Sequence, residues 1–184
     1  RSVRRFYNEE PVSIDTLRWL INLARLSPSA ANLQPLKYLI SHVPEKNGKI
    51  FPCLTWAGYL RYWQGPTEDE RPSAYIVILG DTEISKNIGC DHGIAAQNIL
   101  LGAREIGLGG CIIGAIKREE LRESFNIPER YEILLIIALG KPKEDVVIED
   151  VASDGSIKYW RDNDGVHHVP KRMLKDLIID IHAE

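Results

Sequence analysis

The sequence predicts one mixed α+β domain, and three observations carry that prediction. Apolar residues recur at helical spacing from Ile14 onward and again over residues 91–106, with a shorter charged helix at 117–125. Short apolar runs bounded by turn residues, at 36–43, 74–79, 111–115 and 131–139, read as strands. No internal repeat, low-complexity block or linker divides the 184 residues, so residues 1–184 are expected to fold as a single domain.

In chain order, Arg1-Ser2-Val3-Arg4-Arg5 is a short basic segment. Ser13 suits a helix N-cap, and Ile14, Leu17, Leu20, Ile21 and Ala24 then share one helical face. Ser27-Pro28-Ser29 stops that helix, because proline disfavours helical geometry in the residue before it. A strand at 36–43 follows, then a short helix within 44–54 that Gly48 and Pro52 weaken. Residues 56–72 carry Trp56, Tyr59, Tyr62 and Trp63 and then a polar, turn-rich stretch, which reads as a loop or lid with an aromatic head. The run at 74–79 is a buried strand. The helix at 91–106 holds Gly93, Ala95, Ala96, Gly102 and Ala103, more small residues than packing on its own sheet would need, and small residues let another helix approach closely. Residues 107–110 end it through glycines. The run at 131–139 is the clearest buried strand, residues 153–170 are polar and turn-rich, and 173–181 closes the chain as a helix.

Composition excludes several classes. The net charge of −3 offers no broad electrostatic grip on nucleic acid or an anionic membrane. No apolar run approaches the roughly 20 residues that span a bilayer, and no secretory pattern marks the start. Cys53, Cys90 and Cys111 form no CxxC pair and are odd in number, so three free thiols in a reducing cytoplasm are expected. His167 and His168 lack a carboxylate or cysteine at metal-like spacing, and no metal is expected. There is no G-x-S-x-G, and none of the five histidines has an obvious nucleophile, so hydrolase chemistry is unsupported.

Four segments carry chemistry in more than one reading. Gly107-x-Gly109-Gly110-x-x-x-Gly114 invites a dinucleotide reading, but it follows a helix and opens a strand, the reverse of a Rossmann turn. Arg1-Ser2-x-Arg4 reads by composition as a solvated tail, although guanidinium and hydroxyl also suit a phosphate. Residues 27–35 read as a helix–strand connection whose serines and asparagine offer hydrogen bonds to a polar ring. Val169-Pro170-Lys171-Arg172 reads as an exposed basic turn.

Taken together, Arg1-Ser2-Val3-Arg4-Arg5-Phe6, Ser27-Pro28-Ser29-Ala30-Ala31-Asn32-Leu33-Gln34-Pro35, Asp91-His92-Gly93-Ile94-Ala95-Ala96-Gln97-Asn98-Ile99-Leu100-Leu101 with Ala103 and Gly107-Leu108-Gly109, and Ala138-Leu139-Gly140-Lys141-Pro142 resemble the nitroreductase family of FMN enzymes. The resemblance covers essentially the whole chain, and the order and spacing of the four motifs make it specific. It implies a mixed, largely antiparallel sheet flanked by helices. It also implies a homodimer interlocked through 91–106 and exchanged termini, with FMN held between the subunits.

The resemblance further implies that Arg1 and Ser2, with Val3 beside them, hold the FMN phosphate and ribityl chain. Arg4 would reach the pyrimidine edge of the flavin, where a fixed cation eases reduction. A further arginine that often precedes this pair in the family is not seen here. Pro28, Ser29, Ala30, Asn32 and Gln34 would reach the partner's flavin, with Leu36 where the family often has tryptophan. Cys111, Ile112, Ile113 and Gly114 would lie along the flavin edge, with the Ile113 N–H facing N5. Some relatives carry an acidic side chain at that position, which a backbone donor does not need. Lys171 and Arg172 match a phosphate clamp, with Arg161 a second candidate. Arg4 and Ile113 are thus the implied catalytic pair.

The implied activity is cytoplasmic. Hydride passes from NAD(P)H through flavin N5 to a nitroaromatic, quinone or similar small acceptor. This needs no acid–base triad. The alternatives are a specialised relative, such as a reductive dehalogenase or a flavin-fragmenting enzyme, and a flavin-binding protein without catalysis. Residues 56–72 bear on that choice.

Overall fold

The computed structural model describes residues 2–180, so Arg1 and residues 181–184 lie outside it. Its centre is an antiparallel five-stranded sheet. Strand β1 (Phe6–Tyr7) opens the chain, and helix α1 (Ile14–Arg25) follows. The Ser13 hydroxyl caps α1 by accepting from the Thr16 N–H at 3.1 Å, as the sequence predicts. Then come β2 (Leu36–Ser41), α2 (Pro44–Ile50), β3 (Ala74–Asp81), α3 (Asp91–Glu105), β4 (Gly109–Ile113), α4 (Arg118–Phe125) and β5 (Tyr131–Pro142). β5 is the hub: it pairs with β3, with β4 and, at its far end, with β1, while β2 pairs with β3.

Why β3 reads as an unbroken apolar run is visible in the core. Successive side chains of a strand point to opposite faces. Ala74, Ile76 and Ile78 pack with Leu17, Leu20, Ala96 and Ile99 from α1 and α3. Tyr75, Val77 and Leu79 pack on the other face with Ile50, Leu121 and Ile136. Both faces are covered, so the run from Ala74 to Leu79 is apolar without alternation.

A second, three-stranded sheet follows: β6 (Val146–Asp150), β7 (Trp160–Arg161) and β8 (His167–Lys171), in the order β6-β8-β7. β6 and β8 run parallel, whereas β7 and β8 run antiparallel. The turn-rich reading of 153–170 therefore misses β7 and most of β8. Both strands are short and carry no apolar run, and β8 is aligned by its parallel ladder to β6, some twenty residues earlier in sequence.

Three further expectations are corrected. Residues 173–180 form no full helix, only a 3₁₀ turn at Leu174–Asp176. Leu174, Leu177 and Ile178 stay exposed, and a helix whose apolar face meets nothing gains little from forming. Of the glycines after α3, Gly107 takes the left-handed geometry of a helix end (φ +77°), whereas Gly109 and Gly110 belong to β4. The small residues of α3 are largely consumed within the chain. A Cβ on Gly102 would lie 2.3 Å from Leu23 Cδ1, so glycine is what lets α1 cross α3 closely. Ala95, Ala96 and Ala103 are buried in the same core, and Gly93 alone of the set faces open space.

Candidate active site

The outer edge of β4 is held at two points and open between them. At its start Ser2 bridges Gly110 in parallel, and the Val3 N–H donates to the Gly110 carbonyl at 2.9 Å. Beyond its end Leu54 bridges Ile116, with Thr55 N–H on the Ala115 carbonyl at 3.0 Å and Lys117 N–H on Cys53 at 2.9 Å. The first latch explains Gly109, where a Cβ would meet Val3 at 2.8 Å, while at Gly110 a Cβ would meet Leu100 of α3 at 2.6 Å and the Ala138 carbonyl at 2.7 Å. Gly114 is different, because a Cβ there meets only Leu135 at an ordinary 3.6 Å. Between the latches lies a cleft of about 220 Å³, bounded by Cys111–Gly114, by Ser2 and Arg4, by residues 55–57 and by Tyr159.

Arg4 supplies the charge of this cleft, although it is only 8% exposed. Its Nη1 donates to His167 Nε2 at 2.6 Å and to the Ser2 carbonyl at 3.3 Å, and its guanidinium lies 4.6 Å from the Tyr159 ring centre. None of those neighbours is a carboxylate. The Arg4 backbone N–H donates to Glu144, whose other oxygen is paired with Arg161 at 2.8 Å. Arg161 also lies over the Trp63 ring, so both contacts spend it on structure and it is no free phosphate clamp.

His167 is fully buried, and its pKa falls to about 4, first through burial and then through the cations Arg4 and Arg161 and the neighbouring His168. It is therefore neutral near pH 7. Accepting from Arg4 at Nε2 leaves its proton on Nδ1, which is buried without a partner among the described residues. Burial also pushes the Cys111 thiol up, against the opposing pull of Arg4.

The other predicted residues stand elsewhere. Val3 forms the latch and packs on Gly109 instead of lining the cleft. Pro28, Ser29 and Gln34 line a separate cavity of about 160 Å³ beside Asp91. Ser29 Oγ donates to Asp91 at 2.6 Å and accepts from Gln34 N–H at 2.9 Å, while the Ala30 N–H meets the other Asp91 oxygen at 3.1 Å. These bonds hold an exposed loop in which Ala31, Asn32 and Gln34 all have positive φ. Lys171 and Arg172 are exposed at the end of β8, outside the cleft. Arg1 lies outside the described residues.

One subunit therefore brings together Ser2, Arg4, Cys111, Ile112, Ile113 and Gly114, and keeps the 28–34 loop and the Lys171-Arg172 pair apart from them. Sequence reasoning missed Tyr159, His167 and Glu144. The adjacent histidines and the aromatic Tyr159-Trp160 were visible, but only the β8 register aims His167 at Arg4. The 56–72 segment is tied down as well: Trp56 is buried, and Tyr59 donates its N–H to Tyr159 Oη at 3.3 Å with rings 5.0 Å apart.

Among the described residues, no group of histidine, cysteine and acidic side chains could hold a metal, and no helix is long and apolar enough to cross a membrane.

Comparison with known proteins places this geometry. The model of the nitroreductase family matches residues 1–58 and 71–141. A protein of Archaeoglobus fulgidus, provisionally named an NADH dehydrogenase/NAD(P)H nitroreductase, is 31% identical over 153 residues, covering 79% of this chain and 82% of that one. The structure of an FMN-dependent nitroreductase from Clostridium difficile R20291 superposes with a TM-score of 0.65 at 27% identity, covering 79% of this chain and 84% of that one. The NADPH:FMN oxidoreductase of Vibrio harveyi, solved with NAD+, shares the fold at a TM-score of 0.64 and 24% identity, over 84% of this chain and 70% of that one.

Proposed function

The chain belongs to the nitroreductase family, and from that premise we propose that the cleft along β4, completed by a second copy of the chain, is where it holds FMN. It is an FMN-dependent oxidoreductase drawing on NAD(P)H, as is typical of that family. Bound FMN supplies a ring that takes hydride at N5 and returns it to an acceptor. The protein's part is to bind, orient and polarise.

The observation that carries the site is Arg4: a buried guanidinium with no ion-paired carboxylate among the described residues, beside an open strand edge. A buried cation without a counter-ion is costly, and an anion-bearing ligand offsets that cost. Arg4 would hold a fixed positive charge at the pyrimidine edge of bound FMN, the part of the ring that reduction makes more negative. The Ile112 backbone, on the same side of β4 as the Gly110 carbonyl of the first latch, would run along the ring edge, whereas the Ile113 N–H assigned to N5 from the resemblance turns into the β5 ladder and is not free for it. Gly114, which packing within the chain does not require, lets the ligand come close to the backbone. Ser2 lies where the ribityl chain passes.

The second subunit contributes the 28–34 loop, whose three left-handed residues are held by Asp91. Strain of this kind persists where the surroundings over-determine it and is characteristic of ligand clamps. Lys171 and Arg172, exposed and without carboxylate partners among the described residues, suit the terminal phosphate. Trp56 and Tyr159 wall the space left for a small aromatic or quinone-like acceptor.

The test is direct. The purified protein should be yellow, release FMN and not FAD on denaturation, and consume NAD(P)H steadily when an acceptor is added. A colourless protein that binds no FMN on titration would overturn the site. A flavoprotein that turns over no acceptor would overturn the catalytic reading.

A further inference from the structure

The Arg4 guanidinium is aimed from outside the family's matched core. The family model ends at residue 141, yet the two side chains that hold the guanidinium come from the second sheet and the segment leading into it: His167 on β8 and Tyr159 next to β7. We propose that His167 is a positioning residue for the reaction: its Nε2 fixes the Arg4 guanidinium in the orientation that stabilises the reduced flavin. This inference rests on the flavin reading of the cleft.

Four observations support it. The contact is short, 2.6 Å, and fully buried on the histidine side. Arg4 Nη1 is occupied by His167 and Ser2, which leaves Nε and Nη2 for the cleft. The histidine is neutral, so it orients the cation without cancelling its charge, as a carboxylate would. The second sheet is itself fixed to the body of the protein, through Arg161–Glu144, through Glu144 on the Arg4 backbone, and through Asp145, whose carbonyl accepts from the His167 N–H at 2.8 Å. Tyr159 supports the same guanidinium from its face and carries Tyr59 of the aromatic segment on its hydroxyl. Removing the acceptor from position 167 frees a five-donor fork on a long stem, and a mobile cation stabilises developing charge less than a fixed one.

The test compares His167→Leu, which removes the acceptor, with His167→Gln, which offers an amide oxygen to Arg4. In the FMN-loaded protein, His167→Leu should make the flavin midpoint potential about 30 mV more negative, the two-electron equivalent of a tenfold loss in stabilisation of the reduced form. The rate constant for reduction by NAD(P)H should fall in step. FMN affinity should change no more than about threefold, since the phosphate contacts are elsewhere. His167→Gln should recover most of both losses. An unaltered potential in a folded, FMN-loaded His167→Leu protein would overturn the proposal, and so would an equal loss in both variants.

A readout without flavin separates this failure from failure of the cleft reading. In the ligand-free wild type, ¹⁵N NMR should find His167 neutral at pH 7 with the proton on Nδ1, and Arg4→Ala should raise its pKa. A protonated or Nε2–H imidazole would refute the pairing whether or not FMN binds. Correct imidazole signals in a protein that binds no FMN would refute the flavin reading instead.

Discussion

Arg4 and Arg172 are both arginines assigned to one ligand, and substitution should separate their roles. Arg4→Ala is expected to slow flavin reduction more than it weakens FMN retention, and Arg172→Ala to do the reverse. Each change removes a charge-assisted contact of about 1.5–3 kcal/mol. Stopped-flow reduction and FMN titration of both variants check this, and matching effects on both quantities would reassign the roles. His167 gives a prediction about pH. Its folded pKa is lowered to about 4 by burial and by Arg4, Arg161 and His168, below the roughly 6.5 of an unfolded chain. The unfolded chain therefore takes the proton first, and stability falls as pH drops through 6.5 towards 4. His168, held by Asp162 and Glu149, is shifted upward and contributes the opposite sign. Denaturant titrations from pH 7 to 4.5 should thus show the wild type losing more stability than His167→Gln, and parallel curves would sink the linkage. Arg4 was singled out through the family resemblance, because composition alone reads its segment as a solvated tail. His167 was not, because its meaning depends on a contact across 163 positions that no local pattern encodes.

Elements whose signal is their own burial were the readable ones. β3 and β5 lie between two covered faces, and α1 carries one clean stripe and a serine cap, so composition and period were enough. β6, β7 and β8 are short and largely unburied, and they exist through one another. The closing helix failed for the converse reason: its periodicity was present but the surface to bury it against was not. α3 was found, but most of the small residues read as leaving room for a partner are filled within the chain, Gly93 excepted. Gly102→Leu should accordingly destabilise the subunit itself by about 1–3 kcal/mol, because the new side chain overpacks against Leu23 and Leu20. Gly93→Leu, in open space, should leave that stability unchanged and weaken any assembly built on the exposed side of α3. Chemical denaturation and light scattering of the two variants check the split, and the reverse pattern would show that Gly93, not Gly102, is the packed position.

At the scale of the molecule, one subunit leaves Leu101 and Ile106 of the α3 region and Leu174 and Leu177 of the closing segment exposed at 47–71%. A second subunit covering these side chains would remove apolar surface from water and so favour assembly. If the 28–34 loop completes a neighbour's site, FMN binds only the assembled protein. Saturating FMN then adds RT ln(1 + [L]/Kd), about 2.7 kcal/mol at a hundredfold excess over Kd, and raises the melting temperature. A monomer by light scattering that still holds FMN stoichiometrically would refute the shared site. The way residues 2–6 are placed has one more consequence, for synthesis. Ser2 bridges Gly110, Phe6 pairs with Pro142, and Arg4 meets His167. These residues leave the ribosome early and must wait for partners made more than a hundred codons later. The nascent chain can assemble α1 against α3 well before its cleft exists, so a stalled or truncated chain ending before β8 should bury much of a core and capture no cofactor.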